Sequence, residues 1–262
     1  MNNPRILFIA PSSYPIFGAE ANVNAKVLKV LSENGAKIHL VSRSVRKNAN
    51  VYPESIPNSY FSKVESINLV KTQSGKNFKT LFKHILAFAK FGYVYRGIDW
   101  AFDALPVCES LLKHYKFDFI YTYNQPSEVL GLYLSRKYDI KHVATWNDPY
   151  IWNKYPVPYG KGIDCKISRN RAKLVCNLGL NTFRHIFPSI RLKNYMKKYM
   201  DGINEENSVI CPHIMFEKKA KKREQNTILR LIHSGAIGKE RNPMRFFKAV
   251  KRLVSEIEDI QI

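Results

Sequence analysis

The stretch Arg5 to Glu20, R-I-L-F-I-A-P-S-S-Y-P-I-F-G-A-E, constrains this chain more than any other. Ile6 to Ala10 is an unbroken apolar run, the pattern of a strand buried on both faces of a sheet. Pro11 to Phe17 is turn-rich and delivers Gly18 to the start of a helix. A strand, loop and helix in this order open a parallel α/β sheet, and such sheets bind ligands beyond the carboxyl ends of their strands, where helix N-termini offer free N–H groups. By position alone the first loop is a candidate site. Gly18, lacking Cβ, either lets a ligand approach the backbone or simply makes the turn.

The alternation continues. Ala19 to Leu31 has helical periodicity and ends before Gly35, and Lys37 to Ser42 is a second strand, which completes a βαβ unit and commits the chain to a right-handed, Rossmann-like half. Arg43 to Ser62 reads as a loop and Val64 to Val70 as a third strand. Further helices are predicted over Trp100 to Tyr115, Ser127 to Lys137, Ile163 to Leu178 and Ser189 to Met200. Strands are predicted over Asp118 to Thr122, His142 to Thr145, Thr182 to Phe187 and Ser208 to Cys211. Together they predict a doubly wound parallel sheet.

Phe216 to Asn226 is a charge run with nothing to bury, read as an interdomain linker or a solvated loop. The pattern then restarts with a strand over Ile228 to Ser234, a helix over Pro243 to Glu256 capped by Asn242, and a strand opening at Ile260 to Ile262. The expected organisation is an α/β domain over 1–215, a linker over 216–227, and the beginning of a second, incomplete α/β domain over 228–262.

Lys76 to Lys90 is amphipathic. Phe78, Leu81, Phe82, Ile85, Phe88 and Ala89 share one helical face, while Lys76, Lys79, Lys83 and Lys90 lie elsewhere. A basic helix of this kind lies in a membrane interface or packs its stripe on the sheet, and both readings stand at this point.

Composition narrows the partners. Lys and Arg number 42 against 21 Asp and Glu, a net charge of +21, which favours an anionic partner: nucleic acid, an anionic membrane surface or a phosphorylated substrate. The chain shows none of the usual nucleic-acid-binding modules, so nucleic acid ranks last. No run of about 18 apolar residues and no signal-peptide pattern is present, which predicts a cytoplasmic protein. Cys108, Cys165, Cys176 and Cys211 are scattered without C-x-x-C pairs, which points away from a zinc site or a disulfide framework. The chain lacks G-x-G-x-x-G after the first strand, and Gly238-Lys239 is followed by Glu240, so neither a dehydrogenase fingerprint nor a Walker loop is present.

Six segments in order resemble the GT-B type retaining glycosyltransferases of family 4. They are P-x-x-x-P-x-x-G-A-E at Pro11 to Glu20, D-F-I-Y-T-Y-N-Q-P at Asp118 to Pro126, W-N-D-P-Y at Trp146 to Tyr150, I-F-P-S-I-R-L-K-N-Y at Ile186 to Tyr195, V-I-C-P-H-I at Val209 to Ile214, and H-S-G-A-I-G-K-E-R-N-P at His233 to Pro243. The resemblance implies that 1–215 is a GT-B N-terminal, acceptor-binding domain and that 228–262 begins the nucleotide-sugar-binding domain. It implies that Gly18 and Glu20 belong to a loop near donor and acceptor, that Asn147 and Asp148 stand in place of a His-Asp pair, and that Asp148 is a catalytic or orienting carboxylate. It further implies that Gly235, Lys239 and Arg241 hold the donor phosphates.

The implied chemistry is transfer of a sugar from a nucleoside diphosphate sugar to a lipid-linked saccharide in bacterial surface polysaccharide or glycolipid synthesis. Configuration is retained, with no cofactor and no bound metal. The acceptor's lipid raises the membrane reading, with Lys76, Lys79, Lys83, Phe78 and Phe82 as contacts on the inner face of the membrane. Phe17 and Ala236 depart from the family pattern, and no two acidic residues have the E-x7-E spacing of the family's donor site. The alternative is a truncated, non-catalytic relative that binds membrane or acceptor only.

Overall fold

The computed structural model describes residues 3–15, 18–44, 58–72, 78–93, 97–123, 125–214 and 243–256. Its strands are β1 (Arg5–Ile9), β2 (Lys37–Arg43), β3 (Ser66–Val70), β4 (Phe119–Tyr123), β5 (Lys141–Thr145), β6 (Arg184–Phe187) and β7 (Ser208–Ile210). They form one seven-stranded sheet in the order β3-β2-β1-β4-β5-β6-β7. All six pairings are parallel. From β1 the chain steps to β2 and β3, then returns to the other side of β1 and runs outward through β7. The winding therefore reverses between β1 and β4, and the crevice beyond their carboxyl ends is where such sheets receive ligands.

The helices are α1 (Gly18–Glu33), α2 (Phe78–Phe91), α3 (Ile98–His114), α4 (Ser127–Tyr138), α5 (Arg169–Asn181), α6 (Ile190–Lys197) and α7 (Met244–Glu256). The apolar run of β1 is explained by two-sided burial. Ile6, Phe8 and Ala10 join Ala21, Ala25 and Leu28 of α1 and Ile38 and Leu40 of β2 in one core, with Phe8 stacked on Tyr121 at 4.8 Å. Leu7 and Ile9 face the second core, where Ile98, Trp100, Ala104 and Leu105 of α3 meet Val129, Leu130 and Leu134 of α4. Leu7, Phe8 and Ile9 are fully buried, each contributing roughly 1.5–3 kcal/mol of transfer free energy. Gly35 ends α1 as its sequence position predicts: its φ is +90°, and the Gly35 and Ala36 amides donate to the Ser32 and Leu31 carbonyls.

The loop after β1 is pinned from two sides. Asn24 of α1 donates to the Ser12 carbonyl at 2.8 Å and to Ser13 Oγ at 3.0 Å, and the Ser42 hydroxyl of β2 accepts from the Ser13 and Tyr14 amides. These bonds fix where α1 starts.

One sequence expectation is corrected. The helix expected over Ile163 to Leu178 is α5, which begins six residues later and ends at Asn181. Residues 163–165 are instead held by Lys154, a buried side chain whose ammonium donates to the carbonyls of Ile163 and Cys165, the latter at 2.8 Å. Those carbonyls face a cation, so the apolar spacing of Ile163 and Ile167 does not nucleate a helix. The stripe of α2, for which both readings stood open, is not packed on the sheet among the described residues. Ala87 and Phe91 are the buried residues of α2, whereas Leu81, Phe82, Ile85 and Phe88 are exposed and Phe78 is 81% exposed. Lys83 turns inward to pair with Asp103 of α3 at 2.8 Å, and Lys79 is exposed.

In the second predicted domain, α7 begins one residue after the expected Pro243. The linker at 216–227, the strand at Ile228 to Ser234 and the strand opening at Ile260 lie outside the described residues, as does Lys76. Among the described residues, no helix is long and apolar enough to cross a membrane.

Candidate functional site

Three loops at the carboxyl ends of β1, β4 and β5 converge on a cleft of about 180 Å³ at the point where the winding reverses. From the β1 side comes Glu20, in the first turn of α1. From the β4 side come Gln125 and Glu128, the latter in the first turn of α4. The loop after β5 supplies Trp146, Asn147, Asp148, Pro149, Tyr150 and Tyr155. No lysine or arginine is among these residues, although the chain carries a net charge of +21.

Each polar group is held by the strands below it. Tyr123, the last residue of β4, donates its hydroxyl to Asn147 Oδ1 at 3.0 Å, so the carbonyl end of that amide is engaged and the NH2 end is a donor. Burial, reinforced by neighbouring negative groups and opposed by the Asn147 bond, pushes the Tyr123 phenol up, so this hydroxyl stays a donor at any ordinary pH. Tyr121 and Thr145 bond hydroxyl to hydroxyl at 2.7 Å, and burial raises the Tyr121 phenol to about 12. Burial, reinforced by the nearby Asp148 carboxylate, pushes the Tyr155 phenol up. The sequence leaves two roles for Asp148, orienting a sugar hydroxyl or capping the loop before Pro149. In the fold Asp148 lines the cleft beside Tyr155.

Trp146 is positioned from beneath by His185 of β6, whose Nδ1 accepts from the indole Nε1 at 3.1 Å. Because an indole nitrogen only donates, His185 Nδ1 carries no proton there, and Nε2 donates to the Gly179 carbonyl at 3.2 Å. This fixes one neutral tautomer. Burial lowers the His185 pKa to about 4 against the raising effect of the Gly179 bond. His142 of β5 lies deeper still, between Thr122 at 2.8 Å and Thr182 at 3.4 Å, and burial followed by the His185 charge lowers it to about 3. Gly131 of α4 is needed here, because a β-carbon at that position would sit 2.6 Å from His142 Nε2 and overlap Thr122.

Glu128 is the residue that sequence patterns did not single out. It is 1% exposed, and burial, with a smaller push from Glu20, raises its carboxyl to about 8 against the lowering effect of its own backbone N–H. Its only sequence signal is an acidic residue in the first turn of a helix that follows a buried strand. Of the predicted site residues, Glu20, Asn147 and Asp148 come together in the cleft. Gly18 is the first residue of α1, two positions from Glu20. Gly235, Lys239 and Arg241 lie outside the described residues. Arg43 of β2 interacts with Asp99 and Glu20 but is not among the residues of the cleft. No group of three or more histidine, cysteine or acidic residues placed to hold a metal occurs among the described residues.

No protein-family model matches the chain, and no curated protein matches it in sequence. Its fold does match solved structures. Sucrose-phosphate synthase from Thermosynechococcus elongatus superposes with a TM-score of 0.54 at 13% identity, over 80% of this chain and 48% of that one. The glycotransferase of kitacinnamycin superposes with a TM-score of 0.51 at 11% identity, over 99% of this chain and 65% of that one. HepE from Anabaena, solved in complex with UDP and glucose, gives 0.47 at 12% identity over 80% of this chain and 44% of that one. The chain thus spans less than half the length of the first structures it matches. The Rossmann-like sheet of the GT-B fold expected from sequence is the fold observed.

Proposed function

We propose that this chain forms the acceptor side of a family 4 glycosyltransferase that moves a sugar, with retention of configuration, from a nucleoside diphosphate sugar to a lipid-linked saccharide. The observation that carries the reading is the cleft at the winding reversal, whose charged lining residues among those described are all acidic within a strongly basic chain. Carboxylates and amides suit a polyhydroxylated acceptor, and Asp148, which lines the cleft beside Tyr155, is the group proposed to accept a hydrogen bond from its reacting hydroxyl. The diphosphate belongs elsewhere, with Gly235, Lys239 and Arg241, where cations and helix N–H groups stabilise the departing charge without a call on a cofactor or metal. The test is transfer of label from a panel of nucleoside diphosphate sugars into a lipid extract by the protein purified from its own cells. Asp148→Ala is expected to lower the rate at least ~100-fold. Absence of transfer from every donor would refute the reading, and an unchanged rate in the variant would remove Asp148 from the reaction.

The exposed stripe of α2 supports peripheral docking on the inner, anionic face of a membrane. Four large apolar side chains at helical spacing, Phe78, Leu81, Phe82 and Ile85, face outward beside Lys79. Each aromatic side chain seated in the interface adds on the order of 1 kcal/mol or more to binding. Sedimentation with phosphatidylglycerol vesicles is expected to pellet the protein, and Phe78→Ser with Phe82→Ser to weaken binding at least ~10-fold. Equal pelleting of both proteins would sink the docking surface.

A further inference from the structure

The cleft's chemistry runs against the rest of the molecule. In a chain of net charge +21, its charged lining residues are Glu20, Glu128 and Asp148. Sites for phosphate present cations and N–H donors, and among the described residues this cleft presents no cation. Glu128 sits at its buried end, and its Oε2 is fully buried with no hydrogen-bond partner. Buried oxygens are nearly always satisfied, by protein, by water or by a ligand. Trp146 and Tyr150, packed edge to face at 5.2 Å, are themselves buried beneath the cleft.

We infer that Glu128 is a specificity-determining residue, its unpartnered carboxyl oxygen hydrogen-bonding a hydroxyl of an uncharged sugar ring seated in the cleft. The inference rests on the reading of this cleft as the acceptor side and adds the residue and the ligand class. A protonated carboxyl offers both a donor and an acceptor, the pairing that a sugar hydroxyl reciprocates. Burial keeps Glu128 in that form to about pH 8, and the groups that face it, Glu20 from α1 and Tyr155 from the loop after β5, both disfavour a further negative charge. A cationic sugar would need the carboxylate, and a phosphorylated one would meet three acids.

The test is saturation-transfer NMR on the 262-residue chain. The probes are methyl glucoside, methyl galactoside and methyl N-acetylglucosaminide, with glucosamine and glucose 6-phosphate as competitors of opposite charge. Uncharged glycosides are expected to bind best, with affinity falling above pH 8 as Glu128 ionises and levelling off at a loss no larger than that of the alanine variant. Glu128→Gln keeps donor and acceptor but cannot titrate, so it is expected to bind within about twofold of the parent at pH 7 and to lose that pH dependence. Glu128→Ala is expected to bind about 5- to 10-fold more weakly. Failure of all uncharged glycosides to bind, preference for glucosamine or the phosphate, unchanged affinity in the Ala variant, or retained pH dependence in the Gln variant would each overturn the inference. Binding needs no donor, so these outcomes are separate from the transfer assay: transfer without the predicted selectivity defeats the role of Glu128 alone, and selective binding without transfer defeats only the enzymatic reading.

Discussion

Replacing Glu128 by glutamine is expected to stabilise the protein, by an amount that depends on pH in a calculable way. Folding raises this carboxyl from 4.5 to about 8, chiefly through burial. Between those values the unfolded chain has released the proton while the folded chain retains it. The stability of the parent protein therefore falls by about 1.4 kcal/mol for each pH unit across that window. The contribution of Glu128 is fully present below pH 4.5 and is lost as pH rises towards the folded value. Glutamine has no such proton. The difference between variant and parent should be constant below pH 4.5, grow by about 3 kcal/mol by pH 7 and level off beyond pH 8. Urea denaturation of both proteins at pH 5, 6, 7 and 8 reads this directly, since other titrations are common to both and cancel. A difference with the same value at every pH would mean that Glu128 is not desolvated, and the account of the cleft's buried end would fail with it.

Two further predictions concern the supports beneath the cleft. His185→Leu leaves the Trp146 indole N–H buried without its acceptor, which should cost about 1–3 kcal/mol at pH 7 and shift the tryptophan fluorescence of the folded state. In the parent protein, His185 at about 4 means that stability falls as pH drops below 6.5, by about 1.4 kcal/mol per unit. The His185→Leu variant should lack that component in acid titrations followed by circular dichroism. Gly131→Ala should destabilise by about 1–3 kcal/mol in thermal unfolding, despite alanine's higher helix propensity, because its β-carbon enters the space between Thr122 and His142. A stabilised alanine variant would show that α4 moves freely off the sheet.

Much of the fold was readable from one dimension because two-sided burial leaves a continuous apolar signature. Ile6 to Ala10 is such a run, Ile38, Leu40 and Val41 repeat it with only His39 interposed, and Gly35 marks the end of α1. Where the readings slipped, the deciding contact lies far along the chain. The start of α5 is set by Lys154, nine and eleven residues before the carbonyls it holds. For α2, periodicity identifies a stripe but says nothing about what covers it, and among the described residues it is left exposed. In the cleft, Glu20, Asn147 and Asp148 were legible because they sit in ordered segments resembling a known family. Glu128 was not, since its distinction is burial, which arises only when α1, α4 and the loop after β5 meet. Tyr155, Tyr123 and His185 escaped for the same reason: each acts through a neighbour on another element.

The uncovered stripe of α2 also governs how the protein behaves in a tube. At low ionic strength, molecules of like charge +21 keep one another at a distance, and the apolar faces do not meet. Raising salt from 0.01 M to 1 M shortens the screening length from about 30 Å to 3 Å while leaving the attraction between apolar faces intact. Salt, usually added to keep basic proteins in solution, is for this molecule the agent that permits self-association through Phe78, Leu81, Phe82 and Ile85.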